Sequence, residues 1–197
     1  MGNLFSVQSA LNYLGVSSQI SSDVEVIKTA SKLILPGVGS FYQAMENLRK
    51  SGLAKIITET VVQKKTPILG ICLGMQLLAL SSTENGFSEG FGFISSVIKR
   101  FELPPSSELK IPHVGFEYVD IVKNCKLMEG LGAGADFYFT HSYRMKFENQ
   151  PFTVGTCLHG ENFVAVFEDG YVCGTQFHPE KSQTNGLIIL KNFIEKF

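Results

Sequence analysis

A cysteine between two glycines is the residue whose setting in this sequence most clearly predicts chemistry. Cys72 lies between Gly70 and Gly74. It follows an apolar run from Pro67 to Ile71 and precedes a run of helix formers from Leu73 to Leu80. This pattern predicts a strand, a one-residue corner and a helix, because small neighbours let strand and helix approach closely around a strained residue. The dipole of the helix favours a thiolate at its N-terminus, so the pattern predicts a nucleophile.

The alternative for Cys72 is a structural role, since a lone cysteine in an apolar run is usually a small buried hydrophobe. Gln76 argues against that interpretation. It follows Cys72 by four residues, so both side chains face the same side of the helix start. A core helix does not need an amide at this position, whereas a substrate site does. The pattern therefore favours the nucleophile.

A histidine and a glutamate near the C-terminus could supply the base for such a nucleophile. His178 and Glu180 are separated only by Pro179, which biases His178 towards an extended backbone. Side chains two apart in an extended chain point the same way, so the carboxylate could orient the imidazole. With Cys72 they would form a Cys–His–Glu triad. The His-x-Glu pattern alone leaves open a surface pair that never meets Cys72.

Composition excludes several classes of function. The chain has 197 residues, 44% hydrophobic and 18% charged, with a formal net charge of −1. This charge gives no electrostatic argument for nucleic acid or an anionic membrane. No apolar run approaches the roughly 20 residues that span a bilayer. The four cysteines and four histidines show no metal or disulfide spacing, so we expect one reduced cytoplasmic domain over residues 1–197 and no metal.

The order of predicted elements indicates an α/β domain. Helices and short strands alternate as far as Cys72, which predicts a mostly parallel central sheet flanked by helices. After Gly90 the segments read as β, with a hairpin turn at Glu168–Gly170, so we expect a smaller antiparallel portion. Ligands of parallel sheets bind beyond the carboxyl ends of the strands. Cys72 and the Pro36–Ser40 loop both lie at such ends.

Two motifs together give a specific resemblance. Gly-Ile-Cys-Leu-Gly-Met-Gln (70–76) and Gln-Phe-His-Pro-Glu-Lys-Ser (176–182) resemble the class I (triad) glutamine amidotransferases, which have a flavodoxin-like fold. Four further motifs narrow the resemblance to the glutaminase (HisH-type) subunits of imidazole glycerol phosphate synthase, in histidine biosynthesis. They are Met-Gly-Asn-Leu-x-Ser-Val (1–7), Leu-Pro-Gly-Val-Gly-Ser-Phe (35–41), Ile-Pro-His-Val-Gly (111–115) and Phe-Tyr-Phe-Thr-His-Ser-Tyr (137–143).

The resemblance implies hydrolysis of glutamine to glutamate and ammonia, without a cofactor. Cys72 would form a glutamyl thioester, and His178, held by Glu180, would act as acid and base. The backbone N–H groups of Val38 and Leu73 would form the oxyanion hole. The positions similar to the family's glutamine-binding residues are Gly37, Gly39, Gln76, Glu84, His141, Ser142 and Tyr143.

The resemblance also implies a partner, a (β/α)8-barrel cyclase subunit that receives the ammonia in a heterodimer. Lys181, Phe116 and Tyr138 match positions of its interface, and the lone chain should be nearly inactive. The family usually has Gly-Trp-Asn where this chain has Gly-Phe-Glu at 115–117. Paralogues that supply ammonia for surface-sugar amidination therefore stay an alternative. A peptidase with the same triad is disfavoured by Gln76, and a silent binding subunit by the intact triad.

Family members open with an apolar strand that ends in Asp-Tyr-Gly directly before Met-Gly-Asn. The resemblance therefore implies that an N-terminal strand is missing here. Such a strand would lie inside the parallel sheet, so we expect an exposed strand edge beside Lys32–Leu35 or Pro67–Ile71.

Overall fold

Two β-sheets with helices packed against them make up the computed structural model, which describes residues 3–121, 125–147 and 151–197. The helices are α1 (Leu4–Tyr13), α2 (Val24–Thr29), α3 (Phe41–Lys50), α4 (Leu53–Thr58, continued by a π-helical turn, Glu59–Gln63), α5 (Leu73–Leu77) and α6 (Gln183–Lys196), with 3₁₀ turns at Lys126–Met128 and Pro179–Lys181. The strands are β1 (Leu33–Gly37), β2 (Ile68–Cys72), β3 (Ala79–Ser82), β4 (Ser88–Glu89), β5 (Ile94–Arg100), β6 (His113–Ile121), β7 (Gly134–His141), β8 (Tyr143–Met145), β9 (Thr153–His159), β10 (Glu161–Asp169) and β11 (Val172–Thr175). The predicted α/β class is confirmed.

The large sheet has the strand order β1-β2-β11-β10-β9-β6-β7. Its parallel part consists of β1, β2 and β11, and the other four pairings are antiparallel. The antiparallel part is therefore larger than predicted. The reason lies in two short turns, at Gly160 and Gly170, because a connection of one or two residues can join only antiparallel strands. Both glycines have positive φ, 72° and 61°.

The small sheet has the order β4-β3-β5-β8 and corrects one predicted helix. The sequence predicted helix from Leu73 to Leu80, but α5 ends at Leu77 and β3 begins at Ala79. Ala79 and Ser81 are buried whereas Leu80 is 46% exposed. This alternation is the period of a strand, and β3 pairs with β5 in parallel.

Strand β1 forms one edge of the large sheet. Its residues Leu33–Gly37 pair with β2, and no second strand pairs with it among the described residues. An open edge beside Lys32–Leu35 is thus present, as predicted.

The large sheet is covered on both faces. Side chains alternate along β2, so Leu69 and Ile71 join one apolar cluster, with α1 and α6, and Ile68 joins the other, with α3. Strand β2 is buried throughout, which explains its continuous apolar run. A buried strand holds its last residue, Cys72, in a fixed position.

Candidate active site

Cys72 occupies a strained corner between β2 and α5. Its backbone angles are φ 53° and ψ −111°, a conformation that side-chain-bearing residues rarely adopt. The flanking glycines are required by space. A Cβ on Gly70 would lie 2.6 Å from the Met75 backbone, and one on Gly74 would lie 1.6 Å from the Leu35 carbonyl oxygen. The predicted strand, corner and close helix are therefore all present.

The sheet brings His178 to this corner from a hundred residues away. Strands β2 and β11 are parallel neighbours, with Gly70 opposite Gly174 and Ile71 opposite Thr175. The chain that leaves β11 therefore passes beside Cys72. The backbone N–H of His178 donates to the Tyr138 carbonyl at 2.9 Å, which fixes the histidine against β7.

His178 and Glu180 form a buried pair. The Nδ1–H of His178 donates to Glu180 Oε1 at 2.8 Å, and both side chains are shielded from solvent. Burial alone would lower the pKa of His178, but hydrogen bonding to Cys72 and Glu180 and their negative charges raise it to about 9. The other ring nitrogen, Nε2, makes no well-formed hydrogen bond within the described residues, although Cys72 is close enough to act on the pKa. The arrangement favours the imidazolium form of His178 beside Cys72.

Asn3 and Ser182 support this pair, and neither residue was predicted from the sequence to have a role. The Asn3 side-chain amide donates to Glu180 Oε1, the oxygen that also accepts from His178. The Ser182 hydroxyl donates to the His178 carbonyl at 2.7 Å and accepts from the Tyr138 N–H at 2.9 Å. The Met-Gly-Asn motif was the signal for Asn3, although its first two residues lie outside the described part of the chain.

The predicted oxyanion loop lies beside the corner. Gly37 is opposite Cys72 in the β1–β2 register, and a Cβ on it would touch the Leu73 side chain at 3.3 Å. Val38 follows and is 49% exposed. The N–H of Leu73, at the first position of α5, has no partner within the helix. Gly39 has φ 104° and open space around its Cα, so this loop can reorient a peptide unit.

Gln76 and Glu84 both lie at the site, and both already have protein partners. Gln76 Nε2 donates to the Tyr143 carbonyl at 2.9 Å and to Gln176 Oε1 at 3.0 Å. Glu84 Oε2 accepts from the Phe41 N–H at 2.7 Å, directly after the Pro36–Ser40 loop. This carboxylate therefore stabilises the N-terminus of α3, where negative charge is favourable.

A line of two histidines fixes the Tyr143 carbonyl. His141 Nδ1 lies 2.8 Å from that oxygen, and His141 Nε2 lies 3.0 Å from His113 Nδ1. Burial lowers the pKa of His113 to about 4 and that of His141 to about 3, so both rings are neutral at pH 7. A carbonyl only accepts, so His141 carries its proton on Nδ1 and accepts at Nε2 from His113. Ser142, between His141 and Tyr143, accepts at its carbonyl from the Phe101 N–H.

Comparison with protein families gives one match over nearly the whole chain. Residues 3–197 match the family described as glutamine amidotransferase class-I. The chain belongs to this family.

Its relatives place it more narrowly within the amidotransferases. It is 43% identical to imidazole glycerol phosphate synthase subunit HisH 1 of Campylobacter jejuni (strain RM1221), over 98% of this chain and 94% of the relative. It is 42% identical to subunit HisH 2 of Methanococcus maripaludis, over 100% and 96%. It is 43% identical to subunit HisH of Moorella thermoacetica, over 99% and 90%. The amidotransferase therefore belongs to the HisH group.

Solved structures support the fold. A glutamine amidotransferase crystal structure has a TM-score of 0.74 at 19% identity, over 98% of this chain and 93% of that one. The glutaminase domain of Trypanosoma brucei CTPS with bound acivicin has a TM-score of 0.65 at 16% identity, over 98% and 88%. The predicted class I amidotransferase fold is confirmed.

Burial affects the other three cysteines of this amidotransferase. All three thiols are free and buried, and burial raises their pKa, with nearby carboxylates adding to the effect; they are Cys125, Cys157 and Cys173. A high pKa keeps them protonated and unreactive at neutral pH.

The three predicted interface residues of the amidotransferase share one surface. Lys181 Nζ lies 5.4 Å from the centre of the Tyr138 ring, and that ring is 5.6 Å from Phe116. Val114 and Tyr118 flank Phe116 at alternate positions of β6, and all three are about half exposed. This apolar stripe was not predicted from the sequence, where the two-residue spacing was its signal.

No helix in the described ranges is both long and apolar enough to cross a bilayer.

Proposed function

We propose that this amidotransferase hydrolyses glutamine through a triad of Cys72, His178 and Glu180. The observation that carries the proposal is the strained Cys72 corner beside a buried His178–Glu180 pair, opposite the Pro36–Gly39 loop. Gln76 and the glycine loop favour a carboxamide substrate over a peptide.

The chemistry follows from the charge state of the pair. With the pKa of His178 raised to about 9, the histidine is protonated and Cys72 can attack as a thiolate. The sulfur bonds to the carboxamide carbon, and the N–H groups of Leu73 and Val38 stabilise the oxyanion. His178 gives its proton to the departing amine, which leaves as ammonia with a thioester behind. His178 then takes a proton from water, the hydroxide releases glutamate, and Cys72 returns to thiolate.

Ammonia and glutamate release from glutamine, measured with the cyclase subunit present because the lone chain should be nearly inactive, tests this proposal. The Cys72→Ser variant should lose at least about a thousandfold in rate, in the range of removing a nucleophile. The matched control is Cys173→Ala, which removes a buried thiol from the neighbouring strand β11. Equal rates for wild type and Cys72→Ser would exclude the triad.

The relatives' names describe subunits, and we propose that this chain also works in a complex, with a (β/α)8-barrel cyclase that receives the ammonia. Exposed apolar side chains in a row are typical of protein interfaces, and the stripe of Val114, Phe116 and Tyr118 has this character. It adjoins Lys181 and Tyr138, next to the turn that follows His178 and carries Glu180. A cyclase bound here would lie close to the site of ammonia release.

A lysine substitution tests the surface. Lys181→Ala should weaken cyclase binding and stimulation of ammonia release several-fold, since the ammonium group and its contact with Tyr138 are lost. Lys191→Ala is the control, because Lys191 is exposed on α6 and pairs with Glu195. We expect the lone chain to be nearly inactive, with the peptide unit that carries the Val38 N–H turning into the oxyanion hole on binding. A lone chain as active as the complex would contradict this.

We further propose that the ammonia serves histidine biosynthesis in the cytoplasm. The relatives named as imidazole glycerol phosphate synthase subunits support this acceptor and do not favour surface-sugar amidination. Formation of imidazole glycerol phosphate by a complex with the histidine-pathway cyclase would test it. Stimulation only by a cyclase of surface-sugar synthesis would contradict it.

A further inference from the structure

Gln176 is a buried amide beside the nucleophile, two residues before His178. Its side chain is fully buried, and its Nε2 lies 3.8 Å from the Cys72 sulfur. Its Oε1 lies 3.0 Å from Gln76 Nε2. Its backbone N–H donates to the Ala165 carbonyl at 2.8 Å, so the residue is fixed to β10. The mechanism described above does not use this side chain.

The hydrogen-bond network decides which end of the Gln176 amide faces the sulfur. The Tyr143 carbonyl can only accept, so Gln76 must present its NH₂ group to it, at 2.9 Å. The same NH₂ group reaches Gln176, which must therefore present its oxygen there. The NH₂ group of Gln176 is left on the side of Cys72. The reversed orientation of Gln176 would set two NH₂ groups, both donors, against each other at Gln76.

The starting point of this network is itself fixed. Tyr143 presents its carbonyl to Gln76 and to the Nδ1–H of His141 at once. Both lone pairs of that oxygen are engaged, so Gln76 cannot turn without losing a bond inside the protein. Because Gln76 is already held in place, little conformational entropy is lost when the site becomes charged.

We propose that Gln176 donates a hydrogen bond to the thiolate of Cys72, and that Gln76 is the positioning residue that aims it. The inference deepens the glutaminase proposal and rests on it. A hydrogen bond to the charged form of a group favours that form. The titratable group that acts on the sulfur is His178, whose Nδ1 is bonded to Glu180. Gln176 adds a neutral donor, which stays in place while His178 transfers its proton.

Alkylation of Cys72 by iodoacetamide tests the donor without requiring glutamine. The rate is followed between pH 6 and pH 9.5 by the mass of the peptide that contains Cys72. Gln176→Met removes the donor without adding charge, and we expect alkylation about tenfold slower at pH 7, the low end for a bond to a charged group. The pH at which the alkylation rate is half its maximum should also rise. Gln76→Met, which keeps Gln176 but releases it, should show a smaller change in the same direction.

The control is Asn192→Leu, which also removes a buried amide. Asn192 Nδ2 donates to the carbonyls of Leu127 and Glu129, in another part of the core. Its loss loosens the fold but does not touch the sulfur. Loosening exposes a thiol and speeds its alkylation, so a slower reaction cannot come from damage to the fold. A wild-type rate and pH profile for Gln176→Met would overturn the proposal.

A measurement on the wild type covers the case in which Gln176→Met does not fold. In ¹⁵N-labelled protein, the NMR chemical shift of the Gln176 side-chain amide should change with pH. The midpoint of this change should equal the midpoint pH of the alkylation rate, and Cys72→Ala should abolish the change. A signal that stays fixed in the wild type would refute the hydrogen bond. If the wild type in complex with the cyclase releases no ammonia from glutamine, yet Gln176→Met slows alkylation, the glutaminase proposal fails and the hydrogen bond from Gln176 stands. If the wild type releases ammonia but Gln176→Met is alkylated at the wild-type rate, the glutaminase proposal stands and the hydrogen bond from Gln176 is refuted.

Discussion

Replacing Gly74 by alanine would place a methyl carbon 1.6 Å from the carbonyl oxygen of Leu35. Gly74 lies in α5, two residues after the nucleophile, and Leu35 is in the middle of β1. The oxygen belongs to backbone that is paired with Gly70 of β2, so it cannot rotate away as a side chain would. Either β1 or α5 must move.

The size of the effect follows from that distance. An ordinary carbon–oxygen contact is about 3.3 Å, so the two groups must separate by roughly 1.7 Å. A shift of this size breaks one or two β1–β2 hydrogen bonds, at about 1 kcal/mol each, and adds an overpacking cost of about 1–3 kcal/mol. Alanine gains about 1 kcal/mol over glycine in a helix, which is too little to offset these costs. We expect a net loss of about 1–4 kcal/mol, from a total stability of about 5–15 kcal/mol.

Thermal unfolding followed by circular dichroism measures this loss. At about 2–4 °C per kcal/mol for a chain of this size, the melting temperature of Gly74→Ala should fall by roughly 8 °C. Gly37→Ala is the control, because its Cβ would meet only the Leu73 side chain, at 3.3–3.4 Å, and that side chain can adjust. Gly74→Ala melting within about 2 °C of wild type would refute the steric argument.

Three further predictions concern the triad and the core. A glutamine analogue with an electrophilic side chain should label Cys72 alone, and peptide mapping should find no label on Cys125, Cys157 or Cys173; label on any of these would contradict it. The stability that His178 contributes should be fully present below pH 6.5 and be lost as pH rises through about 9, because its pKa is raised in the folded state. The difference in unfolding free energy between wild type and His178→Gln should therefore decline over that range, by on the order of 3 kcal/mol, and a constant difference would exclude the pair. Glu161→Ala should lower the free energy of unfolding in urea by about 3 kcal/mol, because it leaves the buried Arg144, 2% exposed, without its carboxylate partner. Adding Arg144→Met should recover most of this loss. A double variant no more stable than Glu161→Ala would argue against an ionic cause.

The elbow was predictable because its causes are local. A cysteine between glycines at a strand–helix junction can be interpreted from its neighbours alone, and the structure has this corner. The pairing of Cys72 with His178 needed the resemblance, because a hundred residues separate them and only the β2–β11 register brings them together. His178 and Glu180 themselves meet as the two-residue spacing predicted.

Features that depend on distant partners were not predictable. The end of α5 at Leu77 is set by pairing of β3 with β5, which overrides the helix-forming sequence up to Leu80. The orientation of Gln176 depends on a carbonyl at Tyr143 and an amide at Gln76, three segments that no local pattern connects. The large antiparallel part of the sheet depends on turns whose strands pair only in the folded chain.

The position of β2 between β1 and β11 has a consequence for folding during synthesis. One edge of β2 can pair as soon as Ile68–Cys72 has been made, because β1 precedes it. The other edge waits for β11, about a hundred residues later, or roughly 5–20 s at about 5–20 residues per second. During that interval a fully apolar strand has one unpaired edge, the kind of surface that recruits strands from other chains. A chain released before β11 therefore carries the nucleophile on an open edge, so premature termination should lead to aggregation as well as inactivity.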